Sequence, residues 1–205
     1  MDILLKLLTP LNYLRIKHPQ KRLVDIVLPL VFSSMICIAF YFLPKPVSLL
    51  GQNGLISSLS GFLQVLAGFF IAALGAIATF PNKDMDGPTG GIPLKLDELE
   101  LTRRQFLSYM FGFLAFTGFI LVLLSKVVLS AESNIIHLLS NVNDQCRLWL
   151  KLFFSFFYFT IFNSLMFTTL FGLHYLTEKI HEGKSEFTSS LGDAENNEEE
   201  PGDFT

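Results

Sequence analysis

Charge is scarce in this chain: Asp, Glu, Lys and Arg together make up 16% of its 205 residues. An ordinary soluble domain carries about a quarter, so a water-facing surface of normal polarity is excluded. Tryptophan is nearly absent, with one residue against 22 Phe. Only two cysteines, Cys37 and Cys146, are present. That number excludes the disulfide framework of a small secreted domain, and the spacing matches no zinc-ligand pattern. Free thiols are the plain expectation, with a single bridge left open.

What is abundant is apolar: 51% of the residues are hydrophobic and the mean hydropathy is +0.49. Phenyl rings need no hydrogen-bond partner in lipid, which suits the Phe excess to membrane spans. Four apolar runs reach the roughly 20 residues that a bilayer requires, at about 23–43, 59–80, 106–129 and 148–175. The fold class is therefore all-α, a polytopic integral membrane protein of four transmembrane helices arranged as two hairpins, with a disordered acidic C-terminal tail. The lipid bilayer is its first partner.

The flanks divide the rest. Residues 1–22 place Leu4, Leu5, Leu7, Leu8, Leu11, Leu14 and Ile16 among Lys6, Arg15, Lys17, Lys21 and Arg22, the pattern of a helix lying in the headgroup layer. The run that follows is too long for the h-region of a signal peptide, so the segment is expected to be retained. Asp25 is expected at the inner end of the first span, solvated by snorkelling beside Arg22 or Lys21. Residues 81–105 form a polar segment joining the two hairpins, and residues 182–205 are acidic, with too few apolar side chains to fold alone.

Eleven Lys and Arg lie in the N-terminal flank, the central segment and the stretch after the fourth span (Lys179 and Lys184), against Lys45, Lys126, Arg147 and Lys151 on or near the other side. The positive-inside rule then puts both termini and the 81–105 segment in the cytoplasm.

Small residues recur on the second span, with Gly68, Ala72 and Ala76 every fourth position and Gly61, Gly68 and Gly75 every seventh. Such a ridge lets another helix approach closely, and the second span is expected to be the central one of the bundle. The third span adds Gly112 and Gly118. These small residues are the candidates for helix packing and homo-oligomerisation.

Motifs for chemistry are sparse. The stretch Asp84-Met85-Asp86-Gly87-Pro88-Thr89-Gly90-Gly91 has neither the Gly-Lys-Ser/Thr end of a phosphate loop nor the ligand spacing of an EF-hand, and reads as a turn beside the membrane. The partly alternating IPLKLDELELT that follows suits a short strand or an amphipathic surface helix. Thr102 and Gln105 have capping-box spacing for the third span.

His18, His137, His174 and His181 are too scattered for a metal site. The polar span residues Gln64, Thr79, Thr117, Ser155, Asn163, Ser164 and Thr168 are uncharged, so interhelical hydrogen bonds account for them better than ion coupling does. No enzyme activity, cofactor, metal or direct nucleic-acid binding is expected. Candidate docking residues for a cytosolic partner are Leu94, Leu96, Asp97, Glu98, Glu100, Arg103 and Arg104 in the central segment, and Glu198, Glu199 and Glu200 in the tail.

The basic N-terminal flank, the four spans, the central segment ending LELTRRQFLSYMFGFLAF and the acidic tail together resemble the membrane subunit of the Kiwa bacterial anti-phage defence system. The resemblance covers most of the chain and brings no catalytic residues with it. It implies a bacterial inner-membrane homo-oligomer that detects infection at the envelope and works with a cytosolic DNA-binding effector. A sensor and scaffold is the first expectation. A pore that depolarises the inner membrane, lined by Gln64, Asn163 and Thr168, is the second.

Overall fold

The computed structural model describes residues 6, 8–16, 19–44, 47–79, 83–87, 94–96 and 99–198. Four helices are long and apolar enough to cross a membrane: α1 (Leu23–Phe42), α2 (Leu55–Thr79), α3 (Arg103–Ser130) and the part of the last helix from Asp144 to Thr177. A short helix α4 (Glu132–Ser140) joins α3 to α5, which runs from Asp144 to Glu198. The chain divides into two compact units, Met1–Thr169 and Leu170–Thr205. The first holds the bundle, and the second contains the C-terminal part of α5.

The closest packing in the first unit is α2 on α3. On α2, Ile56, Ser60, Leu63, Ala67, Phe70 and Ile77 are buried, spaced three, four or seven residues apart so that they lie on one stripe. The small-residue ridge does not supply this contact. Gly61, Gly68, Ala72, Gly75 and Ala76 are exposed, and a Cβ built on any of the three glycines would meet nothing within 4 Å. The central helix is accordingly α3, not α2: Phe106, Leu107, Met110, Phe111, Phe113, Leu114, Gly118, Leu121 and Ser125 are all buried. Large side chains fill the space between spans and gain dispersion contacts there, whereas a smooth glycine face contributes nothing until a second surface covers it. Gly118 does pack, its missing Cβ lying 3.5 Å from Leu165 Cδ1 and 3.8 Å from Ala67 Cβ. Gly112 is half-buried, with open space where its Cβ would be.

In the first unit, α5 reaches its neighbours through rings. Phe167 meets Phe32 at 5.0 Å edge-on, Phe159 meets Phe40 at 5.9 Å and Phe162 meets Phe62 at 6.5 Å between centroids. Much of the Phe excess is thus interhelical packing as well as lipid contact. Both cysteines are free, and the Cys37 thiol donates to the Leu152 carbonyl at 3.7 Å.

Between α2 and α3 the chain forms a 3-10 turn at Lys83–Asp86 and a small antiparallel hairpin, β1 (Lys95–Leu96) with β2 (Leu99–Glu100). The register pairs Lys95 with Glu100 and Leu96 with Leu99, so these four residues of the alternating segment are strand. The capping box forms as its spacing predicts: the Gln105 amide donates to Thr102 Oγ1 at 3.2 Å, and the Thr102 amide donates to Gln105 Oε1 at 3.1 Å. Thr102→Ala is expected to lower stability by about 1 kcal/mol, read as a lower midpoint in detergent-solubilised unfolding. Thr102→Ser is expected to retain most of it.

In the N-terminal flank, Thr9–Arg15 is a 3-10 helix packed on α3, with Tyr13 and Ile16 buried. Pro10 cannot donate a backbone hydrogen bond, and it sits in the first turn of this helix, where none is required.

Candidate functional site: a buried polar cluster where the N-terminal flank meets the spans

The site begins with a proline. Pro29 has no N–H, so the Asp25 carbonyl four residues earlier loses its α-helical donor and the ring crowds it. The turn Leu23–Val27 widens into a π-helix, in which the Leu28 amide reaches back to the Leu23 carbonyl. Such turns occur mostly as single interruptions of α-helices, often where a helix carries function. The Ser164 hydroxyl of α5 donates to the Asp25 carbonyl at 3.2 Å.

The Asp25 side chain is buried, as is Lys21. Lys21 Nζ lies 2.7 Å from Asp25 Oδ2. On the other oxygen, Oδ1, converge the Tyr13 hydroxyl at 3.3 Å and the Thr168 hydroxyl at 3.0 Å. The Lys21 ammonium also stands 4.0 Å from the centre of the Tyr13 ring, a cation–π contact. Tyr13 in turn stacks on Phe113 at 5.0 Å and tilts against Phe106 at 6.3 Å. Further along α1, the Asn163 amide of α5 donates to Ser33 Oγ at 3.0 Å.

A buried charge is tolerable only when paired and hydrogen-bonded, and here one carboxylate of the first span gathers partners from the N-terminal flank and α5. The expectation of a solvated, snorkelling Asp25 is therefore corrected: Lys21 is its partner, but both are shielded from water. Burial, and secondarily the Asp25 charge, push the Tyr13 phenol above its ordinary range.

Above pH about 10 the unfolded chain gives up the Tyr13 proton while the folded chain keeps it, so the unfolded state binds fewer protons and stability falls as pH rises. Tyr13→Phe is expected to show a shallower loss of stability than the native chain between about pH 10 and pH 12, measured by denaturant titration at stepped pH.

Arg104 binds a second junction. It donates to Asp86 at 2.7 and 3.3 Å and to the Ile77 carbonyl at 2.7 Å, tying the end of α2, the 3-10 turn and the start of α3 together. The Arg104 guanidinium holds the exposed Asp86 carboxyl below its usual range.

The predicted docking residues thus divide. Arg104 is engaged internally, and Leu94 is buried, its carbonyl accepting the Leu101 amide at 2.9 Å. Leu96 and Arg103 are half-buried. Glu100 is exposed and lies 3.8 Å from Lys95, and the neighbouring Leu99 is 74% exposed. Glu198 is the last residue of α5. Asp97, Glu98, Glu199 and Glu200 lie outside the described residues.

Of the three groups predicted to line a pore, Asn163 and Thr168 are buried in interhelical hydrogen bonds. Gln64 is exposed on α2 beside the glycine ridge. Among the described residues, no three of His, Cys, Asp and Glu gather as metal ligands. The cluster brings a cation, a carboxylate and a phenol together and ties the N-terminal flank to α1 and α5.

With this geometry in hand, the chain defines a class: a multi-pass, four-span helical membrane protein. No family model, curated protein or solved structure matches it.

Proposed function

We propose that this protein is the inner-membrane sensor and scaffold subunit of a Kiwa-type anti-phage defence complex, which oligomerises in the membrane and recruits a cytosolic DNA-binding effector. The observation that carries the reading is the bare ridge of α2. Gly61, Gly68, Ala72, Gly75 and Ala76 are exposed within a protomer whose other large faces are Phe, Leu and Ile. A smooth face of this kind allows close backbone approach in lipid, and a second copy of the same chain presents a matching one.

In this reading the termini and the 81–105 segment face the cytoplasm, because that side carries most of the Lys and Arg. Leu99 and Glu100 on the hairpin are docking candidates, and the acidic end of the chain is a separate one. The Tyr13–Lys21–Asp25–Thr168 cluster links the cytoplasmic side to the spans, so that a rearrangement among the helices reaches the N-terminal flank.

The test is an affinity pull-down of the full chain in mild detergent from its native host, with mass measurement of the intact complex. A defined homo-oligomer carrying a soluble DNA-binding protein supports the scaffold. Recovery of monomer alone overturns it.

The pore reading retains one specific observation, the exposed Gln64 on the ridge face, which an oligomer built on that face would bring close to its copies. A partnerless oligomer that conducts ions in planar bilayers, with conductance altered by Gln64→Leu, would favour it over the scaffold.

A further inference from the structure

At the end of the bundle away from the hairpin, the Val47–Leu50 loop, α4 and the start of α5 line a partly open cavity of about 570 Å³. That volume falls within the roughly 300–1,000 Å³ of ligand pockets. Its walls are apolar, with Ile135 and Leu139 from α4 facing Leu150, Phe153, Phe154 and Phe157 from α5.

Two opposite charges line the same cavity, Glu132 and Lys151. Lys151 donates one N–H to the Val47 carbonyl, and an ammonium has three. Glu132 lies against Gly51, whose added Cβ would sit 3.4 Å from Glu132 Oε1 and whose φ of +100° suits glycine. The cation and the anion therefore stand at the two ends of the stretch 47–51, which spans at most about 14 Å even when fully extended. Arg147 also lines the cavity but is held by Asp144 at 3.3 Å and by the Leu139 carbonyl at 3.2 Å.

We propose that this cavity binds one glycerophospholipid whose headgroup carries both a phosphodiester and a primary ammonium. An acyl chain lies on the Phe153, Phe154 and Phe157 rings, the phosphodiester accepts from the spare N–H groups of Lys151, and the ammonium meets Glu132. Charge complementarity selects this occupant. A lipid with a phosphate and no amine would satisfy Lys151 and set its negative charge near Glu132, whereas the zwitterion answers both. Indiscriminate lipid contact needs neither charged group at the cavity.

The experiment is native mass spectrometry of the purified full chain in mild detergent, with phosphatidylethanolamine and phosphatidylglycerol of identical acyl chains added at equal concentration. Retention of phosphatidylethanolamine is expected to exceed that of phosphatidylglycerol by about twofold to fivefold, the scale of one partly exposed ion pair. Glu132→Gln is expected to remove that preference, lowering phosphatidylethanolamine retention and raising that of phosphatidylglycerol, and Lys151→Gln to lower retention of both lipids. Equal retention of the two by the native chain, or an undiminished preference in Glu132→Gln, overturns the proposal. If Lys151→Gln fails to fold, the native ratio and Glu132→Gln alone decide.

Discussion

Asp25→Asn is expected to destabilise the bundle by about 3 to 5 kcal/mol, the usual cost of leaving one member of a buried ion pair without its partner. The Lys21 ammonium is buried 2.7 Å from that carboxylate, and the hydroxyls of Tyr13 and Thr168 donate to it as well. Asparagine keeps the size and one acceptor but removes the charge. Lys21 must then stay desolvated without a counter-ion or pull the flank away from α3. Replacing both partners by apolar residues, Lys21→Met with Asp25→Leu, is expected to recover much of the loss, because a well-packed apolar pair often substitutes for a buried ionic one at little cost. Denaturant titration in detergent reads both variants. A loss below about 0.5 kcal/mol in Asp25→Asn, the scale of an exposed pair, would mean that the cluster is solvated and does not lock the flank.

The same substitution at two glycines is expected to have opposite consequences. Gly118→Leu places an isobutyl group where Leu165 and Ala67 already stand 3.5 and 3.8 Å from the first added carbon. Overpacking of this kind costs typically about 1 to 3 kcal/mol. Gly118→Ala fits within ordinary contact distances and gains helix propensity, so it is expected to be neutral or mildly stabilising. Gly68→Leu meets open space within the protomer. It is expected to change protomer stability by less than about 0.5 kcal/mol while disrupting association through the proposed ridge. Unfolding midpoints and size in detergent, measured on the same preparations, separate the two effects. Loss of stability at Gly68 with none at Gly118 would reverse the assignment of inner and outer faces.

The spans were legible because lipid leaves so little choice. Every backbone group must be paired within the segment, and an apolar run of sufficient length has one stable form. Their ends were read less well. The second span begins at Leu55, four residues before the expected start at Leu59, because Ser57 and Ser58 are tolerated in a helix near its end.

The capping box could be read because both partners lie within three residues of each other. The Asp25 cluster could not, since its members are spread over positions 13, 21, 25, 164 and 168, and no local period joins them. One signal was present: a carboxylate at the start of a span followed four residues later by Pro29. That spacing foretells a carbonyl without its helical donor, and an ionisable residue at this depth needs a named partner.

The ridge was visible as a pattern, but which way it faced was not. Periodicity identifies residues that share a face. Only the large side chains on the other face, Leu63 and Phe70 among them, decide which one turns inward.

The most direct test of the oligomeric scaffold is the mass of the intact native complex in mild detergent, compared with that of Gly68→Leu. The account predicts a defined homo-oligomer bound to a soluble DNA-binding protein for the native chain, and a folded monomer for the variant. A native chain that is itself monomeric and carries no partner would contradict it.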